Sequence, residues 1–299
     1  MDKVLFIVGP TASGKSAFAI KAARVLDSAV ISADSMQVYK GMDIGTAKES
    51  PQTMREIKHY MIDEVDPSAE FSVAAYQEAA LGYISKLVAQ NKIPVVCGGT
   101  GLYINSLLYP LSFSDTNKNQ ALRAELNLRY DAEGGLKMWE ELHSLDSGRA
   151  EKIHFNDKKR VVRALEICLA DGKNGNDFQS QRFDALIIGL NAPRDVLYDR
   201  INRRVDLMFD NGLESEVKNL IASGCNFEMQ SFQAIGYKEF RPYFEGTVGL
   251  EEVKESIKKN TRNYAKRQLT WFRRQDNILW FDSDETDKAL ETVMKTYLE

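Results

Sequence analysis

Gly9-Pro10-Thr11-Ala12-Ser13-Gly14-Lys15-Ser16 follows directly on the apolar run Val-Leu-Phe-Ile-Val at 4–8. The spacing is G-x-x-x-x-G-K-[ST], a strand-to-helix phosphate loop. Its glycines let successive backbone N–H groups turn inward, and the start of the following helix adds positive partial charge. Lys15 can neutralise phosphate oxygens, and the Ser16 hydroxyl is placed to ligate Mg²⁺. The chain therefore binds a di- or triphosphate. Two more segments could do chemistry at the same rim. Asp34-Ser35-Met36-Gln37-Val38-Tyr39 comes straight after the second apolar run. At the carboxyl end of a strand in a doubly wound sheet, Asp34 faces the ligand crevice. There it could hold Mg²⁺ through water, act as a general base, or cap the next element, and position alone does not separate the three. Gly98-Gly99-Thr100-Gly101-Leu102-Tyr103 follows the apolar run 93–97. Its glycines allow either close approach to a ligand or a tight strand-to-helix turn.

The elements that must position these residues alternate. Short runs rich in β-branched residues at 4–8, 29–32, 60–65, 93–97, 185–190 and 278–281 predict strands, and 15–26 and 73–90 predict helices, the latter capped by Ser72. Such alternation predicts an α/β fold, a P-loop NTPase-like parallel sheet flanked by helices. From about 114 to 171 the strands stop, and 120–143 and 157–169 read as helices. An all-helical insertion subdomain at 114–182 within a core of 1–113 and 183–299 is expected, with Gly172-Lys173-Asn174-Gly175-Asn176 as a loop near its end.

Composition sets the outer bounds. The 299 residues are 43% hydrophobic and 27% charged, ordinary for a globular protein. Cys97, Cys168 and Cys225 lie far apart without C-x-x-C spacing, and His59, His143 and His154 are scattered, so neither a disulfide framework nor a transition-metal site is indicated. The first apolar run is too short for a signal segment and nothing approaches a membrane span, so a cytoplasmic protein is expected. Net charge is −4, yet Lys258, Lys259, Arg262, Lys266, Arg267, Arg273 and Arg274 fall in one stretch without an acid, interleaved with Tyr264, Trp271 and Phe272. Lys158-Lys159-Arg160 with Arg163 is a second basic cluster. Each reads as a solvated helix face or as a nucleic-acid contact.

Taken together these segments resemble the tRNA dimethylallyltransferases, also called tRNA isopentenyltransferases. The resemblance rests on GPTASGKS at 9–16, DSMQVYKGMDIGTAK at 34–48 and GGTGLY at 98–103. It continues in HFNDKKRVVRALE at 154–166, the Arg200/Arg204 helix, QAIGYKE at 233–239 and YAKRQLTWFRR at 264–274. The matches run along nearly the whole chain in the family's order, and the likeness is to the bacterial form, without the zinc-finger extension of eukaryotic relatives.

The resemblance implies transfer of a dimethylallyl group from dimethylallyl diphosphate to N6 of adenosine 37 of tRNA, with Mg²⁺ as cofactor. Gly9 to Ser16 would line the diphosphate site, with Arg204 as a further clamp. Asp34 would orient the exocyclic amine and accept its proton, and Thr100 would contact the target nucleotide. A base stacked in the anticodon loop must be flipped to reach a buried carbon, so Ser35, Met36 and Gln37 are candidates for reading its edge. Arg123, Lys159, Arg160, Val161, Val162, Arg163, Gln233, Gly236, Tyr237 and Lys238 match positions near the tRNA. The partners are the tRNA anticodon stem-loop and dimethylallyl diphosphate, with no membrane, and the chain is expected to act as a monomer. Two segments depart from the family's pattern: N-D-P-Q-R stands here as Asn156-Asp157-Lys158-Lys159-Arg160, and Gln233 replaces an arginine of some relatives. Both touch the grip on tRNA and leave the chemistry intact. The alternatives are an adenylate isopentenyltransferase acting on free nucleotides, a P-loop small-molecule kinase, and a non-catalytic RNA-binding protein. The first two leave a basic helical insertion without a purpose, and intact Lys15, Ser16 and Asp34 speak against the third.

Overall fold

The computed structural model describes residues 1–111, 113, 120–169 and 180–299. The chain packs as two compact units, Met1–Pro110 with Phe178–Glu299, and Leu111–Asp177. In the first, the described strands are β1 (Lys3–Val8), β2 (Val30–Ser32), β3 (His59–Tyr60), β4 (Val95–Gly98), β5 (Asp184–Asn191) and β6 (Leu279–Asp282). They form one parallel sheet in the order β3-β2-β4-β1-β5-β6. β1 is central, with Leu5 opposite Val95 on one side and Leu186 on the other. Its alternate residues feed two cores. Val4, Phe6 and Val8 face the larger, while Leu5 and Ile7 face the smaller with Phe18, Ala22 and Ala23. A strand covered on both faces must be apolar throughout, which is why it reads as an unbroken run.

Helices cover the sheet: α1 (Lys15–Val25), α2 (Pro51–Glu56), α3 (Val73–Val88) and α4 (Gly101–Leu108) in the first half. The Ser72 side chain accepts from the Ala75 amide, capping α3 as expected. The second unit is helical: α5 (Gln120–Glu133), α6 (Gly135–Leu145), α7 (Ser147–Ala150) and α8 (Lys158–Leu169). Leu126, Met138, Leu142, Val161 and Leu165 form its own core. The chain then returns through β5 to α9 (Arg194–Asp210), α10 (Leu213–Ala222), α11 (Arg241–Phe244), α12 (Leu250–Phe272), β6 and α13 (Thr286–Tyr297). A strand–loop–helix with its phosphate loop at the carboxyl edge of a parallel sheet is the P-loop NTPase-like architecture that the sequence predicts.

Two elements differ from expectation. The strand predicted at 60–65 is only His59–Tyr60, because Met61 (φ 62°) and Asp63 (φ 57°) turn the chain in left-handed conformations. Val65 still reaches the Val38 carbonyl, at 3.0 Å. The helix predicted at 120–143 is two, broken where Gly134 adopts φ 89°. The glycine-rich segment at 172–176 lies outside the described residues.

Candidate active site

The phosphate loop is shaped by steric exclusion at its first residue. Gly9 has φ 145°, and a Cβ there would stand 2.2 Å from the Leu190 carbonyl oxygen on β5. Ala12 takes φ 65°, a conformation unfavourable to any residue with a Cβ, and Gly14 at φ 87° delivers the chain into α1. Ser13 is fully buried, and its Oγ has no partner among the described residues. The Lys15 Nζ donates to the Pro10 carbonyl at 3.1 Å. Burial pushes this ammonium below the ordinary lysine range; Arg204 acts in the same direction, while Asp34 opposes it. From α9, Arg204 Nη1 donates to Thr11 Oγ1 at 3.3 Å. Burial lowers its pKa as well, against the opposing charge of Glu49. Two half-desolvated cations facing one small polar cavity form a site for an anion.

That cavity, about 200 Å³, is lined by Thr11, Lys15, Ser16, Asp34, Glu49 and Arg204 among others. Cys97 shares it, but burial pushes its thiol up to about 12, so it stays neutral. A second cavity of about 280 Å³ shares Thr11, Asp34, Thr46, Ala47 and Arg204 with the first. Its further walls include Met36, Val205, Met208, Ala234, Ile235 and Ile257. Asp34 thus stands where a cavity holding Lys15 and Arg204 meets one with an apolar wall.

Asp34 also caps. Its Oδ1 accepts from the Met36 amide at 2.9 Å and the Gln37 amide at 3.3 Å. No donor among the described residues reaches Oδ2. Thr100 Oγ1 accepts from the Ser35 amide at 3.2 Å, which ties the loop after β4 to the loop after β2. Ser35 and Met36 line the apolar cavity. Gln37 is engaged internally: Oε1 accepts from Ser32 Oγ at 2.9 Å, and Nε2 donates to the Thr46 and Ala47 carbonyls at 3.2 and 3.4 Å. It holds the loop around residue 46 against the base of the site.

The residues matched to tRNA contacts divide. Lys159 and Arg160 are exposed at the start of α8, Arg160 beside Asp157 at 3.4 Å. Val161 and Val162 are buried in the helical core, so these two side chains are packing residues. Arg123 and Arg163 converge at 2.9 and 2.8 Å on the buried carboxylate of Glu166, with Arg123 binding it through two nitrogens. This pairing is structural, since Glu166 buried alone would be costly. Gln233 and Lys238 line the apolar cavity and are exposed. Gly236, at φ 99°, makes the turn that aims Tyr237 inward. Tyr237 is fully buried, so its side chain cannot contact an RNA. Along α12, Lys259, Lys266 and Arg267 are exposed, as are Arg273 and Arg274 just past its end, whereas Phe272 is core and Lys258 is held by Asp206 and Glu255 at 2.9 Å.

Three residues of the site were not singled out from the sequence as site residues. The Glu216 carboxylate on α10 accepts from the amides of Asp43 (2.9 Å), Ile44 (2.7 Å) and Gly45 (3.1 Å) and from the Tyr237 hydroxyl (2.6 Å). It anchors the loop that carries Thr46 and Ala47 into both cavities. Gln268 on α12 accepts from the Thr11 amide at 2.8 Å and donates to the Gly99 carbonyl at 3.0 Å. Burial, then the Asp34 charge, pushes the neighbouring Tyr264 hydroxyl up to about 12, against hydrogen bonds with Thr100 and Gln268. A polar residue on the inward stripe of α12, in step with Ala265 and Phe272, was the available signal for Gln268.

Among the described residues no group of three or more His, Cys, Asp or Glu could hold a metal, and no helix is long and apolar enough to cross a membrane. Comparison with known proteins agrees with the geometry. Residues 37–275 match the family described as IPP transferase. The chain is 46% identical to the tRNA dimethylallyltransferase of Acetivibrio thermocellus, covering 100% of this chain and 98% of that one. It is 45% identical to the tRNA dimethylallyltransferase of Bacillus cytotoxicus, over 98% and 94% of the two chains. Among solved structures it is similar to the tRNA delta(2)-isopentenylpyrophosphate transferase of Staphylococcus epidermidis, with TM-score 0.73, 40% identity and coverage of 99% and 98%. It is also similar to a eukaryotic dimethylallyltransferase acting on tRNA, with TM-score 0.85, 29% identity and coverage of 99% and 79%.

Proposed function

The chain belongs to the IPP transferase family, the tRNA dimethylallyltransferases, and on that premise we propose how its two joined cavities carry out the transfer. Dimethylallyl diphosphate places its diphosphate among the loop Gly9–Ser16, Lys15 and Arg204, with its prenyl chain toward Met36, Met208 and Ile235. N6 of adenosine 37 enters from the apolar side, flipped out of the anticodon loop. The observation that supports this most directly is the position of Asp34 at the junction of the two cavities.

The allylic C–O bond breaks, and its electron pair leaves on the diphosphate. Lys15, Arg204 and the loop N–H groups stabilise that charge because they are oriented before it develops. N6 bonds to the allylic carbon, and its proton passes to Asp34. The two capping amides hold Oδ1, so Oδ2 is the oxygen that takes the proton. Thr100 orders the Ser35 backbone beside it and contacts the target nucleotide.

The donor set suits a hard cation, with the Ser16 hydroxyl and the carboxylates of Asp34 and Glu49 on one cavity and, among the described residues, no thiolate or imidazole cluster. Ser16 would hold Mg²⁺. Bound there, Mg²⁺ supplies charge neutralisation at the diphosphate. Lys159 and Arg160 on the helical unit, and the exposed bases of α12, contact tRNA phosphates. Gln233 and Lys238 contact the nucleotide at the cavity mouth. The protein acts as a monomer in the cytoplasm.

The test is transfer of label from radiolabelled dimethylallyl diphosphate, with Mg²⁺, to unmodified tRNA and separately to AMP. Label mapping to adenosine 37 is expected. Label on AMP alone would overturn the assignment of the acceptor.

A further inference from the structure

α12 presents bases to solvent, but its inward face does something different. Gln268 is 4% exposed, and both ends of its side-chain amide are used. Oε1 accepts from the Thr11 N–H at the start of the phosphate loop, at 2.8 Å. Nε2 donates to the carbonyl of Gly99, at 3.0 Å, immediately before Thr100. The amide has a direction. Turned over, it would set NH₂ against an N–H donor and oxygen against a carbonyl, leaving two buried groups unsatisfied.

The loop after β4 is built around this contact. A Cβ on Gly99 would stand 1.9 Å from Gln268 Nε2, and one on Gly101 2.2 Å from Trp271 Cδ1. Both glycines leave the room that side chains of α12 occupy. The same loop continues to the base: Thr100 Oγ1 accepts from the Ser35 amide, beside Asp34. One chain of contacts thus runs from Thr11 through Gln268 and residues 99–100 to Ser35.

We infer that Gln268 is a positioning residue, a strut that sets the span between the phosphate loop and the loop that carries Thr100 and, through Ser35, braces Asp34. This rests on the reading above, in which the first loop holds the prenyl donor and the second serves the acceptor. Neither reacting group touches Gln268. Its effect is on the distance between them, to which transfer is steeply sensitive.

Gln268→Glu and Gln268→Met test it in the full-length enzyme. The glutamate has nearly the shape of glutamine. As a carboxylate it still accepts from Thr11 N–H but turns an oxygen toward the Gly99 carbonyl; as an acid it donates there and restores the strut. Burial and the facing carbonyl raise the pKa of that glutamate, opposed by the Thr11 N–H and the Tyr264 hydroxyl beside it, and recovery comes as pH falls through that value. Expected for Gln268→Glu is a kcat reduced between about tenfold and a hundredfold at alkaline pH. That loss should recover on acidification in a limb absent from wild type, with KM for both substrates little changed. Gln268→Met should be slow at every pH. Its amide exchange should quicken at 9–16 and 98–101, a readout that does not depend on the reaction. Wild-type kcat in both variants, an unaltered pH profile in Gln268→Glu, or unchanged exchange at both loops would each overturn the strut. Transfer by wild type to AMP and not to tRNA would instead overturn the acceptor assignment, and the exchange measurement would still decide on Gln268.

Discussion

Replacing Glu216 by alanine removes one acceptor from four donors: the amides of Asp43, Ile44 and Gly45 and the Tyr237 hydroxyl. The size of the effect depends on which donors can find water instead. Asp43 is exposed and Ile44 half-buried, so their amides re-solvate. The hydroxyl belongs to a fully buried residue, and the Gly45 backbone packs against the Tyr237 ring, where even a Cβ would come within 2.5 Å of it. Two bonds to a charged acceptor at about 1.5–3 kcal/mol each give a loss of about 3–6 kcal/mol. At roughly 2 °C per kcal/mol for a chain of this length, Tm falls by roughly 6–12 °C. Thermal melts followed by circular dichroism measure this directly. The double variant with Tyr237→Phe should be less than additive, because the two residues share one bond. A Tm within about 1 °C of wild type would refute the reasoning. So would strict additivity of the two substitutions.

Three further outcomes are expected. Asp34→Asn keeps the acceptor for the Met36 and Gln37 amides but loses the base, so turnover should drop about 10²–10⁴-fold with dimethylallyl diphosphate binding retained; a rate within a few-fold of wild type would exclude the base role. Because burial lowers the Lys15 pKa, its ammonium is lost below the ordinary lysine range. Calorimetric affinity for dimethylallyl diphosphate should then weaken as pH rises through that lowered value, and Lys15→Met should lack the limb altogether. Replacing Lys159 and Arg160 by alanine should reduce the slope of log affinity for tRNA against log salt by about 0.7 for each phosphate no longer neutralised; an unchanged slope in filter binding would return both to a solvated helix face.

The phosphate loop could be read in advance because everything that makes it is local. An apolar strand, two glycines and a helix start lie within 4–26, and side-chain chemistry marks each. Asp34 was placed for a similar reason, since strand ends of a parallel sheet share a rim. Its capping role was one of the three readings left open, and Oδ1 fulfils it. Glu216 escaped notice because it acts on backbone amides, which any residues at 43–45 would supply. An acid in the first turn of α10 reads as an ordinary complement to the helix dipole. Tyr237, Val161 and Val162 erred the other way. Each sits in a motif beside exposed residues, and a motif carries the side chains that hold its own backbone along with those that meet the ligand. The strand at 60–65 failed on Met61 and Asp63, whose left-handed conformations leave only one weak signal in residue type, the aspartate at 63.

The place of β5 in the sheet has a consequence for synthesis on the ribosome. β1 emerges first and can pair with β4 soon after, but its other edge waits for β5, which follows the whole of Leu111–Asp177. For that interval the central strand exposes unpaired backbone flanked by apolar side chains, the kind of edge that promotes association between nascent chains. The helical unit is continuous in sequence, and its described helices share a core of their own. The catalytic crevice does wait. Gly9 packs on Leu190, Thr11 on Arg204 and Gln268, and the loop at 43–45 on Glu216, all translated after the insertion. Vectorial synthesis thus makes the helical unit before the crevice is whole, and a truncated chain ending at the insertion lacks Arg204, Glu216 and Gln268, the part of the crevice that comes after it.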